Sequence, residues 1–177
     1  MSKKIKMTIS LNKAAQIIFS FSLPIIFLCS CNSSSQKIDA NQNIAVVKKY
    51  PEVWSSGNLE ELNKIIAPNF AGHFIGGFEY KGIDGAKKWV LETRNAFPDW
   101  KEELIDIIVQ DNKVVTRHHS IGTHLGTWDG IDSTGNKVDI YEVEIYRLEK
   151  GKIVEQWGFW DEINLKKQMV AKSSQPK

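Results

Sequence analysis

Hydrophobic positions along this chain follow two periods, and the change from one to the other divides the globular part. From Asn43 to Ser56 the apolar residues Ile44, Val47, Tyr50 and Trp54 recur at helical spacing. Gly57 supplies a stop, while Pro51 removes a backbone donor inside the helix and predicts a bend there. Asn58 through Glu61 read as a capping box for a short second helix, Leu59 to Ile66, ended by Pro68. Phe70 to Phe74 reads as a short strand containing His73, and Gly76-Gly77 and Lys81-Gly82 punctuate a loop. A third helix runs from about Asp84 to Ala96, with Trp89, Val90 and Phe97 on its apolar side and Pro98 closing it.

From Trp100 the period becomes two. Strands are predicted at about Trp100–Gln110, Lys113–Leu125, Lys137–Glu149 and Lys152–Asp161. Asp111-Asn112 and Lys150-Gly151 are tight links, and a longer loop surrounds Gly126–Gly135. Ile163 to Val170 predicts a closing helix, and Ser173 to Lys177 should fray. Helices followed by consecutive hairpin strands argue for an α+β fold, with the helices packed on one face of an antiparallel sheet.

Charge changes the picture mainly at the start of the chain. The sequence holds 23 Lys and Arg against 21 Asp and Glu. Residues 1–30 contain Lys3, Lys4, Lys6 and Lys13 and no acid, so the rest is slightly acidic. With no basic stripe, there is no electrostatic footprint for nucleic acid. Residues 1–30 also have the Lys-rich start and apolar run of a secretory signal, too short for a comfortable membrane span. Leu28-Cys29-Ser30-Cys31 resembles a bacterial lipobox, with Cys31 as the lipidated residue. The expectation is an envelope protein anchored through Cys31 on the periplasmic or surface side, with a polar linker over residues 31–42. A plain signal peptide or an uncleaved anchor is the alternative. No Cys follows Cys31, so the mature domain holds no internal disulfide.

Candidate chemistry centres on the hairpin Lys137–Asp161. Glu142 and Glu144 are two apart on one strand, so they share a face at about 7 Å. Alternation leaves two readings open. Either Tyr141, Val143 and Ile145 face the core and both acids face water, or the acids face inward with Ile140, Tyr146 and Leu148. Two carboxylates in an apolar site would not both ionise easily, and one pKa would rise. On strand Lys113–Leu125, Arg117 and His119 share one face and His118 and His124 the other. Val115 and Ile121 make the Arg117/His119 face the preferred pocket face. Asp161 ends the last strand, where it either caps the closing helix or reaches a pocket. The four His are too scattered for a zinc pattern, and no phosphate-binding glycine motif is present.

Five stretches carry a wider resemblance: Val53-Trp54-Ser55-Ser56-Gly57-Asn58-Leu59, Ala67-Pro68-Asn69-Phe70, Asn95-Ala96-Phe97-Pro98-Asp99-Trp100, Gly122-Thr123-His124-Leu125-Gly126, and Gly151 to Trp157 with Asp161 beyond it. In this order and spacing, residues 43–170 resemble the SnoaL-like polyketide or ester cyclase branch of the nuclear transport factor 2-like superfamily. The resemblance implies a cone-shaped, strongly curved antiparallel sheet wrapped around N-terminal helices. It also implies a deep apolar pocket, dimerisation through the sheet, and acid/base chemistry without metal or cofactor. The family's histidine position corresponds to Glu144 and its polar neighbour to Glu142. The family's last-strand carboxylate falls at or near Gly158, which has no side chain, and its amide falls near Gly72-His73.

The expected function is binding of a small hydrophobic molecule bearing a carbonyl or hydroxyl group, with cofactor-independent acid/base catalysis. Glu144 is the candidate base, Glu142 its protonated partner, and His119 or Asp161 the orienting group. Trp54, His73, Phe74, Trp89, Arg117, Tyr146, Trp157 and Trp160 are the candidate ligand contacts. A non-catalytic binding module, or a homodimeric interaction domain using Val143 and Ile145, is the alternative.

Overall fold

The computed structural model describes residues 40–75 and 77–171. The leader, Cys31, most of the linker and the C-terminal tail lie outside the described residues. Helix α1 (Ala40–Ser56) is followed by a 3-10 turn (Leu59–Glu61), the short α2 (Leu62–Ile65), strand β1 (Ile66–Phe74), the short β2 (Glu79–Lys81) and α3 (Gly82–Ala96). Strands β3 (Lys101–Gln110), β4 (Lys113–Thr123), β5 (Lys137–Glu149) and β6 (Lys152–Trp160) come next, closed by α4 (Glu162–Val170). Among the described residues no helix is long and apolar enough to cross a membrane.

The six strands form one sheet in the order β2-β1-β6-β5-β4-β3. It is mixed rather than antiparallel throughout, because β1 runs parallel to β6. A parallel pair needs a long crossover, and everything between β1 and β6 supplies it. Register shifts interrupt β1 between Ile66 and Ala71, β3 between Leu104 and Asp106, and β5 between Arg147 and Leu148. Such irregularities bend a strand and increase its twist.

Helix α1 runs through the buried Pro51 to Ser56, the end predicted from the sequence. Two local expectations are corrected. Asn58 makes no side-chain cap bond, and the segment after it is a single 3-10 turn leading into four residues of α-helix. Pro68 lies within β1, at its register irregularity, rather than ending a helix.

The core lies between the inner face of the sheet and the helices, with Val47, Tyr50, Leu62, Phe70, Val90, Phe97, Tyr146 and Ile153 among its buried members. Arg94 of α3 ties the elements together by donating to the carbonyls of Trp54 and Ser55 at 3.0 and 2.8 Å and of Pro98 at 2.9 Å. Two of these are orphan carbonyls at the end of α1, where a cation also complements the helix dipole.

Candidate functional site

Alternation along β5 decides the site. Val138, Ile140, Tyr146 and Leu148 are buried, whereas Tyr141 and Val143 are exposed. Period two then brings Glu142 and Glu144 to the inner face with Ile140 and Tyr146. Both glutamates line a cavity, together with Glu102 of β3. The rest of the wall is aromatic and apolar: Trp54 from α1, Phe74 from β1, and Trp89, Thr93 and Phe97 from α3 and its end. Trp100, Trp128, Ile140, Trp160 and Leu165 complete it.

The chamber at the carboxyl groups is small, about 40 Å³. A second hollow of about 420 Å³ shares Trp89, Trp128 and Trp160 with it and extends to Ile75, Phe78, Thr127 and Glu162. The shared tryptophans are held by ring contacts, with centroids 5.2 Å apart for Trp89–Trp128 and 6.5 Å for Trp89–Trp160. Phe74 packs on Trp160 at 5.0 Å, and Phe97 meets Trp128 at 5.7 Å.

Trp128 sits on the loop after β4, whose position is fixed by the backbone. The amides of Leu125 and Gly126 donate to the Ala96 carbonyl at 2.9 and 3.0 Å. A Cβ on Gly126 would lie 2.2 Å from the Asn95 carbonyl oxygen, so only glycine permits this approach. His124, fully buried, braces the same loop through Thr134 at 3.1 Å.

Hydrogen bonds to the three carboxyl groups are few. Trp100 Nε1 donates to Glu102 Oε1 at 2.9 Å, and the Tyr146 hydroxyl donates to Glu144. Glu142 Oε1 is buried with no hydrogen-bond partner among the described residues. Burial drives all three carboxyl pKa values up. The neighbouring Glu142 pushes Glu144 further, and both neighbours do the same to Glu102. Desolvation and like charge both disfavour the ionised form, so the set holds protons well above the ordinary glutamate range.

Behind the acids lies a second polar layer. His118 of β4, 2% exposed, has Nε2 2.7 Å from Thr116 Oγ1 and 4.0 Å from Glu144 Oε2. Burial lowers its pKa to about 4, so the ring is neutral at pH 7 and gives the carboxylates no counter-charge. The Tyr50 and Tyr80 hydroxyls both donate to Gln156 Oε1, at 2.8 and 2.9 Å, beneath Tyr146. Burial raises both phenols far above their usual range, so they remain donors.

Of the residues singled out in the sequence, Glu142, Glu144, Trp54, Phe74, Trp89 and Trp160 meet at this cavity, and Tyr146 supports it from behind. The others do not. Arg117 and His119 lie on the outer face, where Arg117 pairs with Asp106 at 2.7 Å and His119 with Asp139 at 2.9 Å. His119 also stacks on the exposed Tyr141. The apolar company of Val115 and Ile121 belongs to that outer face, and the inward row of β4 beyond the buried Val114 is polar: Thr116, His118 and Ser120. His73 is likewise outside, between Glu79 and Glu155 at 3.1 Å each and stacked on Trp157. Asp161 is the N-cap of α4, accepting from the Asn164 amide at 2.9 Å.

Sequence reasoning missed Glu102, His118, Trp100 and Trp128 as parts of the site. Counting by two from the buried Trp100 would have brought Glu102 to the inner face. Gly158, opposite Glu144 across β5 and β6, has its side-chain space filled, since a Cβ there would lie 2.1 Å from Phe74 Cε1. Among the described residues no group of three or more His, Cys, Asp or Glu is arranged to hold a metal.

The family model for the SnoaL-like polyketide cyclase matches residues 44–169, nearly the whole described domain. The chain belongs to the SnoaL-like polyketide cyclase family. Among solved structures, a candidate SnoaL-like polyketide cyclase from Jannaschia sp. CCS1 superposes with a TM-score of 0.71 at 21% identity, over 77% of this chain and 96% of that one. IdmH of Streptomyces antibioticus, a candidate polyketide cyclase, gives 0.66 at 27% identity, over 73% and 99%. An LEH-like epoxide hydrolase of M. tuberculosis shares the fold at 9% identity, with a TM-score of 0.60 over 73% of this chain and 90% of that one. No curated protein matches. The SnoaL-like chain therefore has the nuclear transport factor 2-like α+β architecture expected of it.

Proposed function

We propose that the aromatic cavity binds a small hydrophobic molecule bearing a carbonyl or hydroxyl group and moves protons on it without a cofactor. One observation carries this reading. Glu142 and Glu144 converge in an apolar hollow where burial and mutual repulsion keep part of the set protonated. Such a pair offers an acid and a base on one wall, which suits proton abstraction next to a carbonyl or protonation of a departing oxygen. Glu144 is the base in this reading. The Tyr146 hydroxyl fixes its orientation, a task the sequence had given to His119 or Asp161. Glu142, with an unpaired buried oxygen, is the proton carrier.

The test is turnover of a panel of cyclic ketones, β-keto esters and epoxides, read by mass spectrometry. Glu144→Gln is expected to lower the rate of any accepted substrate by about 10² to 10⁴. Unchanged turnover removes the assignment. A non-catalytic binding role is favoured by the small inner chamber, which admits a head group but no ring. A ligand retained through native mass spectrometry and never converted would support it.

Two further parts of the reading concern the setting. The lipobox-like Leu28-Cys29-Ser30-Cys31 supports a lipid anchor at Cys31 in the bacterial cell envelope. Failure of Cys31→Ser to change fatty-acid labelling would reject it. The exposed apolar row on the outer sheet face, with Tyr141, Val143 and Phe159, supports a homodimer.

A further inference from the structure

We infer that the ligand of this cavity carries a cationic nitrogen, with a small organic ammonium head in the inner chamber among Glu102, Glu142 and Glu144 and its apolar body against Trp89, Trp128 and Trp160. The inference rests on the proposed reading of the cavity as the ligand site and adds the chemical class of the ligand.

Three independent features point to it. First, no Lys or Arg lines either hollow, and the nearest basic ring, His118, is neutral. The inner chamber presents three carboxyl groups and no basic side chain, while at the outer hollow Lys166 pairs with Asp129 and Glu162 at 2.5 and 2.7 Å. A ligand carboxylate or phosphate would add one more desolvated negative charge to a set that already resists ionising, whereas an ammonium would stabilise an ionised carboxylate beside it. Second, Trp54, Trp89, Trp100, Trp128 and Trp160 line the inner hollow, and an indole ring attracts a desolvated cation more strongly than any other side-chain ring. Third, the dimensions divide the ligand. A volume of about 40 Å³ accommodates about three water-sized groups, enough for a primary ammonium and its methylene but not for a ring. The hollow of about 420 Å³ beyond the shared tryptophans has room for a ring system. The buried, unpaired Glu142 Oε1 gives the ammonium an acceptor that no described residue occupies. In the catalytic reading, one carboxylate then pairs with the ammonium while another moves the proton.

The test uses three ligands of nearly equal shape on the folded protein at pH 7: 2-phenylethylamine, 2-phenylethanol and 3-phenylpropanoate. Binding is read by tryptophan fluorescence and calorimetry. The amine is expected to bind about tenfold or more tighter than the alcohol, with the carboxylate weakest. Glu142→Gln and Glu102→Gln should each erase most of that preference, with far-UV circular dichroism and a cooperative thermal transition showing that the variants are folded. Equal affinity for amine and alcohol overturns the inference and leaves the cavity as a ligand site. Binding of none of the three overturns the cavity reading as well. Retained amine preference without turnover of any substrate rejects only the catalytic reading.

Discussion

In the proposed reading, Glu142 is the residue at which function and stability pull hardest against each other. Its carboxyl group is buried beside Glu144, and one oxygen has no partner among the described residues. The folded protein holds protons on these glutamates that the unfolded chain has already released. The unfolded state therefore binds fewer protons, and stability falls as pH rises from the ordinary glutamate range, near pH 4, toward the raised folded values. Glu142→Gln removes one of the repelling groups at nearly constant shape. Its melting temperature should exceed the parent's by about 3 °C or more at pH 8 and match it near pH 4. A lower melting temperature at pH 8 would show that the carboxylate is solvated. His118 contributes in the opposite direction. Its folded pKa of about 4 lies below the unfolded value, so its share of stability is lost as pH falls from about 6.5 toward 4.

At the scale of elements, alternation in β5 put Glu142 and Glu144 on one face but left the direction of that face open, because both rows carry apolar residues. Ile140, Tyr146 and Leu148 flank the two glutamates at period two, and one buried member settles the direction of all. Strand β4 was misread because its inward row turns polar after Val114, at Thr116, His118 and Ser120, while the outer row carries Val115 and Ile121, apolar residues that normally mark a core. Hydrophobicity locates the inner face only where that face is the more apolar one, and a polar site breaks the rule. The parallel pairing of β1 with β6 was not legible, since no local pattern records the direction of a partner strand. The loop that carries Trp128 depends on Gly126, whose close approach to the Asn95 carbonyl no sequence pattern records. Gly126→Ala forces a Cβ against the Asn95 carbonyl and should cost about 1–3 kcal/mol. It should also shift tryptophan emission, because Trp128 leaves its ring contacts with Trp89 and Phe97. Unchanged stability and emission would mean that the loop is not anchored there.

At the scale of the molecule, the sheet presents two unlike faces: an inner one that buries acids among aromatics and an outer one that exposes Tyr141, Val143 and Phe159. Exposed apolar surface of this kind marks interaction sites. Val143→Glu is expected to convert a homodimer to a monomer by light scattering, without loss of the cavity's ligand binding. An unchanged mass would place the contact elsewhere. The central claim, however, concerns the inner face: three carboxyl groups share a desolvated hollow and cannot all ionise together. Site-resolved carbon NMR titration of the glutamate carboxyls measures this directly, with Glu→Gln variants giving the assignments. At least one of Glu102, Glu142 and Glu144 should stay protonated well above the ordinary glutamate range. All three titrating independently within that range would contradict the account.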